Sequence, residues 1–259
     1  MSGERRSAPP SNLASDVLPL AEARFVPQRY EPNYAYPLLV LFHGRGADEG
    51  QLIRAVPTMS WRNYVALALR GPETIRRNGE VVGFGWGPDF ARRGRRPFGP
   101  PALLPAEVVR RWLQSGPLDL TDAVEEGTFT AIRQLRSSLH VHSERIFLVG
   151  IGEGAAVAYR LGLAYPERFA GVVALNGWLP GAATRPLARL RACRDLRVLV
   201  VHGEWNGRAP IDRARRDVAL LRAAGLHVAF QSYPCANRLT APMLSDVDTW
   251  LIHQCTAGL

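Results

Sequence analysis

Residues 150–154 have the spacing of a catalytic turn but lack its reactive side chain. They read Gly-Ile-Gly-Glu-Gly and follow an apolar run. Small residues at this spacing allow a sharp strand-to-helix turn, and in the motif G-x-S-x-G that turn exposes a serine nucleophile. The central residue here is Gly152. Because glycine has no side chain, this position cannot attack a carbonyl carbon or form an acyl-enzyme.

Five other side chains are weaker candidates for chemistry or binding. Glu153 follows the turn, and it is interpreted either as an acid that complements a helix N-terminus or as a base that activates water. Cys235 has no histidine obviously beside it, which favours a buried, inert thiol over a nucleophile. Trp86, Trp178 and Trp205 are candidates for a pocket wall, and the competing interpretation places them in the core or under a loop.

The order of apolar runs predicts an α/β fold with a mainly parallel sheet and helices on both faces. Short apolar runs alternate with helix-like stretches, as in chains of strand–helix–strand units. The predicted strands are residues 21–26, 37–42, 64–69, 145–149, 171–175, 196–201 and 227–233. The predicted helices are residues 48–58, 106–114, 120–140, 153–165, 211–224 and 242–253.

A single domain is predicted over residues 21–259, which suits the chain length of 259. Residues 1–20 are predicted to be a disordered leader. Residues 75–105 are rich in glycine, arginine and proline, and they are predicted to form a long loop beside the sheet.

Five stretches in sequence order resemble the phospholipase/carboxylesterase group of the α/β-hydrolases, whose members include acyl-protein thioesterase-like esterases. The resemblance runs over residues 25–253. It rests on residues 37–49, 148–156, 174–180, 200–210 and 233–251. The resemblance implies a single α/β-hydrolase domain, and it implies esterase chemistry wherever the catalytic residues are present.

The resemblance also implies where a Ser-His-Asp triad would stand. Gly152 occupies the nucleophile position, Asn206 the position of the acid and Asn237 that of the histidine. Asparagine is uncharged and cannot stabilise an imidazolium as aspartate does. It also has no nitrogen that titrates near neutral pH, so it cannot act as a general base. The sequence therefore predicts a degenerate triad.

In the same family the loop after residue 42 helps to form the oxyanion hole. The corresponding residues here are His43, Gly44, Arg45 and Gly46. His43 and His202 belong to motifs that the family uses structurally, so a structural role is predicted for both.

A second interpretation treats the same turn as a nucleotide site. Gly150, Gly152 and Ala155 satisfy the pattern G-x-G-x-x-[GA] after a strand and before a helix, which is typical of dinucleotide binding. The next strand ends at Asn176, where an acidic residue would hold the ribose. The NAD(P) or nucleotide alternative is therefore kept, but it explains less of the chain.

Composition excludes several other classes of protein. The net charge is +9, and all 32 basic residues are arginine. That bias is interpreted as a composition effect, so no specific nucleic-acid partner is predicted. Residues 92–96 are interpreted either as a solvated loop or as a contact for an anion or a nucleic acid. The chain has no run of 18 apolar residues, so no membrane span is predicted. The three cysteines suggest neither disulfides nor a metal site, so free thiols in a reducing compartment are predicted. We therefore expect a cytoplasmic protein, and no cofactor is predicted.

The function predicted from the sequence is that of a binding or regulatory pseudoenzyme with an esterase-like fold. Its partner would be a small molecule, an acyl group or another protein, and the oligomeric state stays open. The main alternative is an active carboxylic-ester hydrolase with an unusual site that involves Glu153.

Overall fold

A computed structural model of the chain describes residues 20–87, 122–180 and 193–256. Its strands are β1 (Glu22–Phe25), β2 (Tyr36–Phe42), β3 (Val65–Leu69), β4 (Glu73–Arg77), β5 (Glu80–Gly85), β6 (Val141–Ile151), β7 (Gly171–Leu175), β8 (Arg197–Gly203) and β9 (His227–Tyr233). The central sheet has the order β1-β3-β2-β6-β7-β8-β9. Only β1 is antiparallel to its neighbour. The carboxyl ends of the six parallel strands therefore lie along one edge, where sites form in α/β sheets.

Strands β4 and β5 form a separate antiparallel hairpin. The sequence prediction of a long loop from residue 75 was therefore wrong over residues 75–85. Asn78 and Gly79 both have positive φ, at 52° and 86°, as in the two-residue turns that match the twist of a hairpin. The Asn-Gly pair was the signal in the sequence. Residues 88–105 lie outside the described part of the chain, as do the proposed leader up to residue 19 and the predicted helix 106–114.

The helices are α1 (Gly50–Ile53), α2 (Val56–Met59), α3 (Asp122–Arg136), α4 (Glu153–Ala164), α5 (Ile211–Ala223) and α6 (Ala241–Thr256). The helix predicted for residues 48–58 is thus two short helices, and Pro57 stands in the first turn of the second one. Helix α3 ends before residue 140, because the Ser137 and Ser138 hydroxyls donate to carbonyls of its last turn.

Helix α5 ends as the sequence predicts. Gly225 has φ 90°, and the Leu226 amide donates to the Leu221 carbonyl at 3.1 Å. This is the backbone arrangement that a glycine just beyond a helix allows.

Successive residues of β2 point to opposite faces of the sheet. Leu38 and Val40 belong to the apolar cluster that includes residues of α3, α4 and α5. Leu39 and Leu41 belong to the cluster that includes residues of α1, α2 and α6. Because strand side chains alternate, one wholly buried strand supplies both cores. The sheet is therefore covered on both faces, as predicted. No helix among the described segments is long and apolar enough to cross a membrane.

Candidate functional site

The turn between β6 and α4 places Gly152 at the carboxyl edge of the sheet. Gly152 has φ 58° and ψ −115°, a left-handed backbone that favours glycine. Its amide donates to the Leu175 carbonyl on β7 at 2.9 Å. A Cβ atom at position 152 would meet its nearest neighbour, the Gly44 Cα, only at 3.9 Å. The turn thus has a sharp strand-to-helix form, with open space where a side chain would stand.

The two outer glycines of the turn are required by close packing. A Cβ atom on Gly150 would lie 2.1 Å from the Gly154 carbonyl oxygen. A Cβ atom on Gly154 would lie 2.1 Å from the Phe42 carbonyl oxygen on β2. Only glycine lets these backbones approach so closely. The frame of the turn is therefore sterically fixed, whereas its central position is not.

A cavity of about 560 Å³ opens at this edge of the sheet. Its volume lies in the roughly 300–1,000 Å³ range of small-molecule sites. Its wall combines polar, apolar and cationic residues: Gly44, Arg45, Gly46, Gln51, Ile75, Arg77, Val82, Ile151, Gly152, Glu153, Asn176, Trp178, Arg208 and Asn237. The loop after β2, the β6–α4 turn and the loops after β7, β8 and β9 therefore meet at one cavity, beside the hairpin.

The Glu153 carboxylate is sealed from this cavity, although the residue forms part of the wall. Its side chain has 0% exposed surface. The Oε1 atom accepts a hydrogen bond from Arg45 Nη1 at 3.2 Å, and Oε2 has no hydrogen-bond partner among the described residues. Burial raises the pKa of Glu153 to about 7, and the Arg45 guanidinium opposes this shift. In this arrangement no part of the Glu153 side chain is accessible from the cavity.

Arg45 joins this buried acid to the hairpin. Its Nη1 and Nη2 atoms donate to the two carboxylate oxygens of Glu73 at 2.8 and 2.9 Å. The Gly46 amide donates to the Phe84 carbonyl of β5 at 2.8 Å. A Cβ atom on Gly85 would lie 2.9 Å from Arg45 Nη1 and 3.3 Å from Glu153 Oε2. The hairpin therefore packs against the Glu153 carboxylate and contributes to its burial, whereas the Arg45 side chain stays 37% exposed.

His43 has a structural role in this arrangement. Its Nδ1 atom donates to the Gly44 carbonyl at 2.8 Å, and its Nε2 atom accepts from the Gly71 amide at 2.9 Å. Trp86 Nε1 donates to the His43 carbonyl at 2.8 Å. Burial lowers the pKa of His43, so the neutral ring is favoured. Trp86 is 1% exposed and lies in the core, so its prediction as a pocket residue is corrected.

Two backbone amides of the predicted oxyanion-hole loop already have partners. The Gly44 amide donates to Gln51 Oε1 at 2.7 Å, and the Gly46 amide donates to the hairpin at Phe84. Gly44, Arg45 and Gly46 all line the cavity. Neither glycine amide is therefore open to a ligand oxyanion in this arrangement.

Asn206 is held inside the loop that follows β8. Its Oδ1 atom accepts from the amides of Arg208 and Ala209 at 3.0 and 3.1 Å. Its Nδ2 atom donates to the Asn176 carbonyl at 3.3 Å. The side chain is 3% exposed and is not part of the cavity wall. The amide group is thus used to shape the loop.

Asn176 connects three loops at the same edge, and no role in the site was predicted for it. It has φ 51° and is 1% exposed. Its Oδ1 atom accepts from the Gly203 amide at 2.8 Å, and its Nδ2 atom donates to the Arg238 carbonyl at 3.1 Å. Asparagine is one of the few residues that adopt a left-handed backbone without large cost. Its place after an apolar strand was the only signal.

The remaining candidates divide between the cavity and the core. Asn237 is exposed on the cavity wall. Cys235 is buried in the apolar cluster beneath α6. His202 donates from Nε2 to the Ala209 carbonyl at 2.7 Å, and burial lowers its pKa.

Trp178 lines the cavity, whereas Trp205 is 67% exposed away from its wall. Over the described ranges, no three His, Cys, Asp or Glu side chains are grouped to hold a metal ion.

Comparisons with known proteins agree with this architecture. The phospholipase/carboxylesterase family matches over residues 110–254. Acyl-protein thioesterase 1 of Gibberella zeae is 30% identical over 43% of this chain, and the match spans about half, 48%, of that relative. Carboxylesterase SOBER1 of Arabidopsis thaliana is 21% identical over 60% of this chain and 72% of its own length. The crystal structure of the Bacillus cereus carboxylesterase superposes with a TM-score of 0.63 at 15% identity, covering 93% of this chain and 97% of that one.

The fold and the sharp turn at the sheet edge define an α/β-hydrolase domain. The family match covers more than half of the sequence and therefore identifies the family within this fold. The chain belongs to the phospholipase/carboxylesterase family.

This assignment also bears on the nucleotide interpretation of the turn. A pyrophosphate would have to approach the N-terminus of α4, where Glu153 contributes a buried acid. The sheet order and the family match favour the hydrolase interpretation over dinucleotide binding.

Proposed function

We propose that this carboxylesterase-like α/β-hydrolase is catalytically degenerate and uses its cavity to bind a small molecule or an acyl ligand. The observation that carries the proposal is the centre of the β6–α4 turn, where Gly152 offers only backbone atoms. A serine hydrolase needs a side-chain nucleophile there, because an acyl-enzyme forms before water completes the reaction. An acyl ligand is included because a relative is named an acyl-protein thioesterase.

The positions proposed for the acid and the base support the same conclusion. Asn206 is uncharged, and its amide group already has three backbone partners. Asn237 stands on the cavity wall but has no titratable nitrogen. No proton relay of the Ser-His-Asp kind can be built from these side chains.

The alternative hydrolase that uses Glu153 needs contact between its carboxylate and a water molecule in the cavity. Burial does give this group a pKa of about 7, which suits a general base. However, its side chain has no exposed surface and lies beneath Arg45 and the hairpin. A general base must first lie within hydrogen-bond reach of the proton that it removes, and a suitable pKa is the second requirement. This alternative therefore has less support.

The test is hydrolysis of p-nitrophenyl butyrate by the purified protein, compared with a heat-denatured control and with the Glu153→Gln variant. Triad removal costs roughly 10⁶-fold in turnover in a well-studied serine protease and leaves at most about 10³–10⁴-fold over water. We expect no saturable turnover above the control. Ordinary saturable turnover would overturn the proposal. Its loss in Glu153→Gln, with a rate in the unaltered protein that rises through about pH 7, would establish the alternative instead.

A further inference from the structure

All side-chain charges that a ligand can reach on the cavity wall are positive. Arg45, Arg77 and Arg208 line the cavity, and the single acidic lining residue, Glu153, has no exposed side-chain surface. Arg45 is already paired with two glutamates. Arg77 and Arg208 form no ion pair with any residue in the described segments. Two exposed guanidinium groups thus remain to meet a ligand.

Hydrogen-bonded backbone fixes the positions of both arginines along the chain. Arg77 is the last residue of β4, and its backbone lies opposite Glu80 of β5 in the hairpin register. The Arg208 amide donates to Asn206 Oδ1 at 3.0 Å within the loop after β8. The two cations come from separate elements that border the same cavity. A ligand between these elements would meet guanidinium groups from both of them.

The rest of the cavity wall includes apolar surface that can contact the apolar part of a ligand. Apolar surface comes from four residues on the hairpin, the end of β6 and the loop after β7: Ile75, Val82, Ile151 and Trp178. Cationic and apolar surface in one cavity of this volume is complementary to an amphiphile with a negative head.

We propose that the cavity selects an amphiphilic anion whose carboxylate or phosphate head is bound by Arg77 and Arg208. Guanidinium groups bind either oxyanion through paired, charge-assisted hydrogen bonds. The apolar body of the ligand packs against the hydrophobic part of the wall. This inference rests on the proposed ligand-binding function and adds the chemical class of the ligand to it.

Calorimetric titration with three probes of equal chain length tests the proposal. Octanoate and octyl phosphate carry the two possible heads, and octan-1-ol carries none. At low ionic strength we expect one of the anions to bind at least roughly tenfold more tightly than the alcohol, as one charge-assisted contact allows. The tighter anion identifies the head group. Added salt should weaken the binding of the anion and leave that of the alcohol unchanged.

Substitutions assign the effect to the two arginines. Arg77→Ala and Arg208→Ala should each weaken binding of the tighter anion about tenfold and leave octan-1-ol within twofold. Arg76→Ala is the matched control, because Arg76 precedes Arg77 on β4 but donates to the Gly79 carbonyl and does not line the cavity. All three side chains are exposed, and thermal melting checks that each variant stays folded.

Equal affinities for octanoate, octyl phosphate and octan-1-ol would overturn the proposal. Equal effects of Arg76→Ala and the two wall substitutions would also overturn it. In both cases measurable binding would leave the ligand-binding function intact and remove only the selection for anions. The loss of catalysis is tested separately by ester hydrolysis, so the two conclusions can fail independently.

Discussion

Glu153 is an acid that the fold places where solvent cannot reach it. Its Oε1 atom accepts a hydrogen bond from Arg45, which also donates to Glu73. Desolvation of the carboxylate outweighs this pairing, so the pKa rises from 4.5 to about 7. A buried ion pair of this kind is weak evidence for stability, because desolvation can exceed the Coulombic gain. The sealed carboxylate is therefore expected to lower the stability of the fold near neutral pH.

The sign of this effect gives a prediction for Glu153→Gln. The folded state keeps the proton at pH values where the unfolded chain has lost it. Stability is then greatest below about pH 4.5 and falls as the pH rises through about 7. At about 1.4 kcal/mol per pKa unit, the stability of Glu153→Gln relative to the unaltered protein should grow by roughly 2–3 kcal/mol between pH 5 and pH 8. Urea denaturation at both pH values measures it.

The comparison also controls for other acids with a raised pKa, such as Asp217. Burial raises the pKa of Asp217 to about 7, but this residue is present in both proteins, so its contribution cancels. A stability difference that stays constant from pH 5 to pH 8 would contradict the assignment of a raised pKa to Glu153.

At the scale of elements, the β4–β5 hairpin determines the shape of the cavity. It contributes Ile75, Arg77 and Val82 to the wall. It is attached to the loop after β2 by the hydrogen bonds of Phe84 with Gly46 and Ala47, both at 2.8 Å. The hairpin also packs against the Glu153 carboxylate. Its position therefore affects both the burial of the Glu153 carboxylate and the shape of the cavity.

Two glycines of the hairpin test this attachment. Both have positive φ, at 86° for Gly79 and 147° for Gly83. A Cβ atom on Gly79 meets nothing within 4 Å, whereas one on Gly83 would lie 2.2 Å from the Gly46 carbonyl oxygen. Gly79→Ala should cost about 1–2 kcal/mol, from backbone strain alone. Gly83→Ala should cost at least about 2 kcal/mol more, because the hairpin must move off the loop.

Urea denaturation gives the two stabilities, and amide hydrogen exchange at Gly46 and Phe84 reports the attachment directly. We expect faster exchange at these two amides only in Gly83→Ala. Equal costs and equal exchange in the two variants would show that the contact between Gly83 and Gly46 does not hold the hairpin.

At the scale of the whole molecule, the sequence predicted the layers of the fold better than the contacts of the site. The parallel strands are short apolar runs, so their positions and their burial on both faces could be read from residues such as 37–42 and 171–175. The hairpin was missed because its strands are mostly exposed and lack an apolar run, although Asn78-Gly79 marked the turn. The pairing of Arg45 with Glu153 joins residues 108 positions apart, and no local pattern predicts such a pair.

Restoring catalysis depends on the fold as a whole, because the three proposed triad positions lie on three separate loops at one sheet edge. If the amides of Arg45 and Glu153 form an oxyanion hole, we expect the variant with Gly152→Ser, Asn206→Asp and Asn237→His to gain saturable hydrolysis of p-nitrophenyl butyrate. The serine has space, since the nearest atom to a Cβ lies at 3.9 Å, although its left-handed backbone costs about 1–3 kcal/mol. An aspartate can still accept the two amide hydrogen bonds of the loop after β8.

The three substitutions depend on one another. Asn206 Nδ2 donates a hydrogen bond to the Asn176 carbonyl at 3.3 Å. Asn206→Asp replaces this hydrogen bond by a contact between two oxygen atoms. The contact disfavours the aspartate unless a histidine donates a hydrogen bond to it. The double variant that keeps Gly152 should stay inactive, because it has no nucleophile. A fluorophosphonate should add covalently to the triple variant, as shown by intact mass, and not to the double. A folded triple variant that neither turns over ester nor forms the adduct would show that the sheet edge no longer aligns the three loops for catalysis.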